Sequence, residues 1–259
     1  MTTGRTTFLT FASREFRGSA RQLLHEVIDG TDVFDTVVVV RGEKDMPEFH
    51  SRHQHALVHG TKGYGHMIWK PYIVRRELER MNEGDVLVYC DAGCAFNVHG
   101  GRRLADYVRL ARESPSGLVC FRLYGHTNEE WTKGDVLAEF DPEGRFGGER
   151  QVTSCVFFVR KCAESVAIVD AWLDPVQRGA YNVFDDSPSV NVCESARFKA
   201  HRHDQSVLSL LCYKHGATFV DDETYFFRAF FPNGMAYPFW ALRRRDHATH
   251  THVPLQGKP

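Results

Sequence analysis

Apolar runs rich in β-branched and aromatic residues recur at Thr7 to Phe11, Thr36 to Val40, Val86 to Cys90, Leu118 to Leu123, Val152 to Val159 and Thr218 to Val220. Runs of this length and make-up read as buried strands. Between them, apolar residues fall at helical spacing: Ala20, Leu23, Leu24, Val27 and Ile28, then Leu104, Tyr107, Val108 and Ala111, then Val166, Val169 and Leu173. Strands alternating with amphipathic helices predict an α/β fold of three layers, with helices on both faces of a mainly parallel central sheet. The stretch from Pro175 to Ser195, dense in Gly, Pro, Asn, Asp and Ser, predicts a long surface loop. One domain is expected over 1–245, and the polar segment 246–259 reads as a flexible tail.

Composition narrows the function classes. The chain has 259 residues, 42% hydrophobic and 25% charged, with a formal net charge of -1. It therefore lacks the broad positive field that collects a nucleic-acid backbone, and no nucleic-acid partner is expected. Met1 to Phe8 lacks the apolar centre of a signal peptide, and no run approaches the ~18 apolar residues of a membrane span. The expectation is a soluble, cytoplasmic protein. Seven cysteines, at 90, 94, 120, 155, 162, 193 and 212, are odd in number and sit mostly in apolar stretches, which predicts reduced, buried thiols.

Candidate chemistry concentrates between Gly63 and Gly93. Gly63-Tyr64-Gly65-His66 reads as a loop, a helix ends near Met81, Asn82 to Gly84 turns the chain, and a buried strand delivers Asp91 at its C-terminal end. Ligands of open α/β sheets bind outside the carboxyl ends of strands, so Asp91 stands where a ligand is expected; Asp-Ala-Gly is equally good turn chemistry. Lys70 precedes Pro71, a residue suited to a first helical turn, so its ammonium is placed at a helix start facing an anion, or on a plain surface. Trp69 and Tyr64 are candidates for stacking on a base or sugar, with core packing as the alternative.

This window, apolar-Tyr-x-Asp-Ala-Gly after Gly-Tyr-Gly-x-x-x-Trp-Lys-Pro, resembles the GT-A glycosyltransferases with a degenerate DxD motif. It also resembles the small bacterial and giant-virus enzymes related to the first domain of the chlorella-virus multidomain rhamnosyltransferase. A second stretch, His201 to Leu211, is similar to the late Asp-Gln helix start of several GT-A families. With Glu130 to Asp135 and Asp185 to Ser189, the resemblance spans roughly residues 60 to 225. It implies a Rossmann-like GT-A fold and transfer of a sugar from a nucleotide diphosphate donor, UDP-sugar first, to a glycan or other hydroxyl acceptor, as in polysaccharide biosynthesis. It also implies Mn²⁺ or Mg²⁺ bound by Asp91, with Lys70, Trp69, Tyr64, Ala92, Gly93 and Gln205 as donor-binding positions. Gly93 stands where the fuller motif has its second aspartate, which puts the number of protein ligands in doubt.

Around Asp204 the residues themselves say more. On a helix starting near His203, Asp204, Leu208 and Leu211 share one face, so the carboxylate points toward the packed side, where it needs a partner. Asp204 and His203 are the candidate catalytic residues, with direct displacement and inversion as the expected course; a helix cap is the plain alternative for Asp204. His201 and His203 also read as a metal-binding His-x-His pair, which keeps open a histidine-rich metallohydrolase using both with Asp204 and the upstream histidines. The cluster His50, His53, His55 and His59 reads as surface histidines. His126 and Glu130 are further candidates for acceptor contact, although Thr127 to Glu130 is also a capping box. A non-catalytic nucleotide-sugar or glycan-binding module is the third reading.

Overall fold

The computed structural model describes residues 4–224 and 233–246. Six strands form one sheet: β1 (Thr6–Phe11), β2 (Thr36–Val40), β3 (Val86–Cys90), β5 (Leu118–Thr127), β6 (Arg150–Arg160) and β7 (Thr218–Asp221), in the order β2-β1-β3-β6-β5-β7. A separate two-stranded ribbon pairs β4 (Ala95–Phe96) with β8 (Phe239–Trp240). β1 runs parallel to β2 and β3, and β5 is parallel to β7, while β6 runs against both of its neighbours. The expected α/β class with a mainly parallel sheet is therefore what the chain adopts, with β6 as the reversed strand.

Side chains alternate along the strands between two cores. Leu87 and Tyr89 of β3 face one, Val86, Val88 and Cys90 the other; Phe157 and Val159 of β6 oppose Val156 and Phe158 in the same way. Helices α1 (Arg17–Gly30) and α5 (Gly101–Glu113) cover the second face through Leu23, Val27, Leu104, Tyr107 and Val108. The first face is covered by α4 (Trp69–Arg80), α8 (Ala163–Gln177) and α9 (Asp204–His215), which bury Ile73, Trp172 and Leu208 among others. The shorter helices are α2 (Pro47–His53), the single turn α3 (Gly63–His66), α6 (Asn128–Trp131) and α7 (Gly134–Phe140).

Some details depart from the periodicity. Ile28 is exposed, because the buried stripe of α1 runs through Ala20, Leu23 and Val27 and leaves Ile28 outside it. Pro175 lies inside α8, so the surface loop begins only after Gln177; proline loses just one backbone bond in a last turn and is tolerated there. All seven cysteines are free, but Cys193 is exposed on the loop and Cys155 half-buried. Among the described residues no helix is long and apolar enough to cross a membrane.

The expected tail has a tethered first residue. Asp246 accepts hydrogen bonds from the backbone N–H groups of Gly18 (2.7 Å) and Ser19 (2.8 Å), capping the start of α1 from far along the chain; residues 247–259 lie outside the described residues. Capping carboxylates contribute about 1 kcal/mol. Asp246→Ala should lower the melting temperature by about 2–4 °C, measured by circular dichroism.

The topology leaves a crevice. From β1 the chain passes through α1 to β2 on one side, whereas from β3 it passes through α5 to β5 on the other. Neighbouring strands whose exits diverge open a gap at their carboxyl ends, and that gap is where α/β sheets bind ligands. Ala12 follows β1 and Ala92 follows β3, and the two pack together with Ala20 at its floor.

Candidate active site

A cavity of about 400 Å³ opens off the ends of β1 and β2, lined by Ser13, Arg14, Arg17, Arg41, Lys44 and Tyr64, among others. Of the lining residues Arg14, Arg17, Arg41 and Lys44 are cationic and Glu43 is anionic, an excess of positive charge although the whole chain is close to neutral. Arg41 is engaged by Asp45 at 2.8 Å. The Tyr64 hydroxyl is buried without a hydrogen-bond partner, which is costly for a polar atom and marks a place where a ligand or water completes the bonding. Tyr64 is held in a left-handed backbone (φ 52°) within a run from Gly63 to Met67 whose φ values are all positive. Gly65 is required within that run, since a Cβ there would stand 2.5 Å from the Ala56 carbonyl.

Beside this cavity, the sheet and two helices bring three charges together. Lys70, in the first turn of α4, is only 1% exposed; its Nζ lies 2.8 Å from Asp204 Oδ2 and 3.2 Å from Asp91 Oδ1. The ammonium also donates to the Ser154 carbonyl at 3.1 Å, on β6. Asp204 is fully enclosed, while Asp91 keeps 32% of its side chain exposed, so the cluster is closed at one end and open at the other. The Tyr89 hydroxyl donates to Asp91 Oδ1 at 2.6 Å, and Trp172 Nε1 donates to the Asp204 carbonyl, pinning the start of α9.

Two carboxylates share one ammonium, and the electrostatics follow from that count. Burial alone would push the Lys70 pKa down, but Asp204 and then Asp91 outweigh it and hold the pKa above that of an ordinary lysine. Asp204 is raised above the usual carboxylate range by burial, against the pull of Lys70 and with Asp91 adding to the rise. The lysine is held in its charged form between the two acids. Asp204 is enclosed between Lys70, which it meets through Oδ2, and the Ser154 side chain.

A polar wall continues from this cluster. Gln205 donates to Gln151 Oε1 at 2.7 Å, and Gln151 donates in turn to Trp131 O, Thr132 Oγ1 and Ser206 Oγ. Gln151 stands at the start of β6, which reaches the carboxyl ends of its neighbours because it runs the other way. His203 precedes α9 with φ 56° and lies in contact distance of His66, their ring centroids 5.0 Å apart. Its Nδ1 meets the Phe184 carbonyl at 2.6 Å and therefore carries the proton; its buried Nε2 has no hydrogen-bond partner. Burial and then Lys62 lower the His203 pKa to about 4, so the ring is neutral near pH 7.

Lys70, Asp91 and Asp204 thus converge, with His203 and Gln205 adjoining and Tyr64 and Ala92 toward the cavity. Lys70 is not a surface lysine. Trp69 stacks on Phe11 with centroids 3.6 Å apart and donates to the Gly63 carbonyl, so its ring is spent in the core. The backbone that approaches Gly93 is the chain's own: Arg244 N–H donates to the Gly93 carbonyl at 2.9 Å.

The metallohydrolase set does not assemble. His201 is buried with Nε2 against the Val183 carbonyl and Nδ1 near the Lys133 N–H, and Asp204 is committed to Lys70. In the upstream cluster His53 is buried instead of exposed, paired with the Tyr181 hydroxyl at 2.7 Å, because it closes the last turn of α2 against the loop. Glu130 completes the capping box with Thr127 and pairs with Lys199, which together hold its pKa low. The cavity cations Arg14, Arg17, Arg41 and Lys44 went unread in the sequence; their one signal is their position directly after two predicted strands.

No protein-family model matches the sequence, and no curated protein sequence does. Among solved structures the chain is similar to a glycosyltransferase involved in the glycosylation of the major capsid of PBCV-1, at 12% identity over 91% of each chain and a TM-score of 0.49. It is also similar to mouse xyloside xylosyltransferase 1, at 12% identity over 85% of this chain and 87% of that one, TM-score 0.45. A third likeness is to galactosyltransferase LgtC in complex with donor and acceptor sugar analogs, at 11% identity, 86% and 76% coverage and a TM-score of 0.46.

Proposed function

We propose that the protein is a glycosyltransferase that takes a sugar from a nucleoside diphosphate donor and passes it to a hydroxyl acceptor. The observation that carries this reading is the enclosed Lys70–Asp204 pair, open through Asp91 at the end of β3, next to a basic cavity off β1 and β2. Arg14, Arg17 and Lys44 suit the diphosphate, whose charge grows as it leaves. Asp204 holds the ammonium of Lys70 against Asp91, and Gln205 continues the polar wall beside it. Direct displacement with inversion is the proposed course, with the partly exposed Asp91 facing the donor and the enclosed Asp204 positioning Lys70 behind it.

Asp91 suits one ligand position of a Mg²⁺ or Mn²⁺ ion. Its Oδ1 is taken by Tyr89 and Lys70, while its Oδ2 makes no hydrogen bond among the described residues, so one oxygen is on offer. Such an ion neutralises charge on the leaving diphosphate, with phosphates and water as its other ligands.

The reading is tested by calorimetric titration of UDP and other nucleoside diphosphates, and by slow hydrolysis of their sugars. Arg14→Ala should weaken diphosphate binding about 10- to 100-fold, since a charged hydrogen bond contributes about 1.5–3 kcal/mol. Its melting temperature should stay put, because Arg14 is exposed. A wild type that binds no nucleoside diphosphate would remove the proposal, and one that binds donor without hydrolysing or transferring it would be a binding module.

A further inference from the structure

We propose that His66, Asp186 and His203 form a second cation site, for a first-row divalent metal of the Zn²⁺ type, separate from Asp91. Among the described residues this is the one group of three potential ligands, their donor atoms all within 4.8 Å of one another. His66 Nε2 lies 3.7 Å from Asp186 Oδ2, and His203 Nε2 lies 3.6 Å from Asp186 Oδ1. Ligands around tetrahedral zinc, at about 2.0–2.1 Å from the ion, stand roughly 3.3 Å apart, so an inward movement of Asp186, with the partly exposed His66 closing on His203, completes the geometry. Asp186 is free to make it, being 55% exposed on the loop after α8.

The sharper evidence is His203. Its side chain is 2% exposed, and its Nε2 is an orphan acceptor aimed at the other two ligands. Its Nδ1–H is held by the Phe184 carbonyl, the arrangement that fixes the tautomer and ring direction of a metal-ligating histidine. Two imidazoles and one carboxylate select a borderline ion over Mg²⁺, which prefers oxygen and keeps its water. Lys62, 3.7 Å from Asp186, stands in for the cation and is exposed enough to swing away. A bound ion would tie the left-handed turn at Gly63–His66 to the loop that carries Asp186 and to the start of α9. It would also occupy the His203 lone pair.

The test uses the full chain, stripped with chelator and titrated with Zn²⁺ by calorimetry and with Co²⁺ by visible absorption. Wild type should bind one ion per chain in the presence of a hundredfold excess of Mg²⁺, gain the absorption of four-coordinate Co²⁺ and melt at a higher temperature. Asp186→Asn and His66→Gln, both at partly exposed positions, should each weaken binding more than tenfold, whereas Asp91→Asn should leave it unchanged. Absence of stoichiometric Zn²⁺ binding, affinity indifferent to both Asp186→Asn and His66→Gln, or loss in Asp91→Asn would each overturn the site. These readouts do not depend on sugar transfer, so failure here and failure of the glycosyltransferase reading remain distinguishable.

Discussion

Lys70→Met should destabilise the folded chain by about 3–5 kcal/mol, the cost of leaving a buried charge without its partner. The reason is Asp204, fully enclosed and left facing an apolar side chain once the ammonium is gone. Asp91 suffers less, because a third of it already meets solvent and Tyr89 continues to donate to it. The double variant Lys70→Met with Asp204→Leu should recover most of the loss, since replacing both members of a buried pair by apolar groups is often neutral. Urea unfolding of the two single variants and the double variant reads out the coupling. A single Lys70→Met variant within 1 kcal/mol of wild type would mean the pair is not enclosed as described.

Asp204→Asn separates chemistry from stability. The amide keeps the shape, and Lys70 retains Asp91, so the stability loss should be smaller than for Lys70→Met. Turnover of the nucleotide-sugar donor should nevertheless fall by about 10²- to 10⁴-fold, the range for a lost acid–base or positioning group. Affinity for the nucleoside diphosphate alone should change little, because the cations that line its cavity are elsewhere. Activity within threefold of wild type would dismiss Asp204 from the mechanism.

The six principal strands were legible because each is a short run dominated by apolar and β-branched residues, which suits a sheet covered by helices; the edge strands β2 and β7 are only partly buried. The direction of β6 was not: a strand's residues look the same whichever way it runs, and its reversal depends on partners far along the chain. That reversal is why Gln151 and Ser154, in the first half of β6, border a site otherwise built from the end of β3 and the starts of α4 and α9. Asp91 and Asp204 were readable from position, one at a strand exit and the other on the apolar face of a helix. The burial of Lys70 was not, because a lysine before a proline carries no local sign of what will cover it. The basic cavity escaped for a related reason: Arg14, Arg41 and Lys44 are polar residues in the connections after β1 and β2, Arg17 opens α1, and only their shared location gives them meaning.

One partner of Lys70 is the carbonyl of Ser154, part of the peptide chain and present whatever side chain occupies that position. Genetic variation at 154 can remove the hydroxyl but never this acceptor. Tolerance in a saturation library should therefore be lopsided, with position 70 strict and position 154 permissive to small residues, although both touch the same nitrogen.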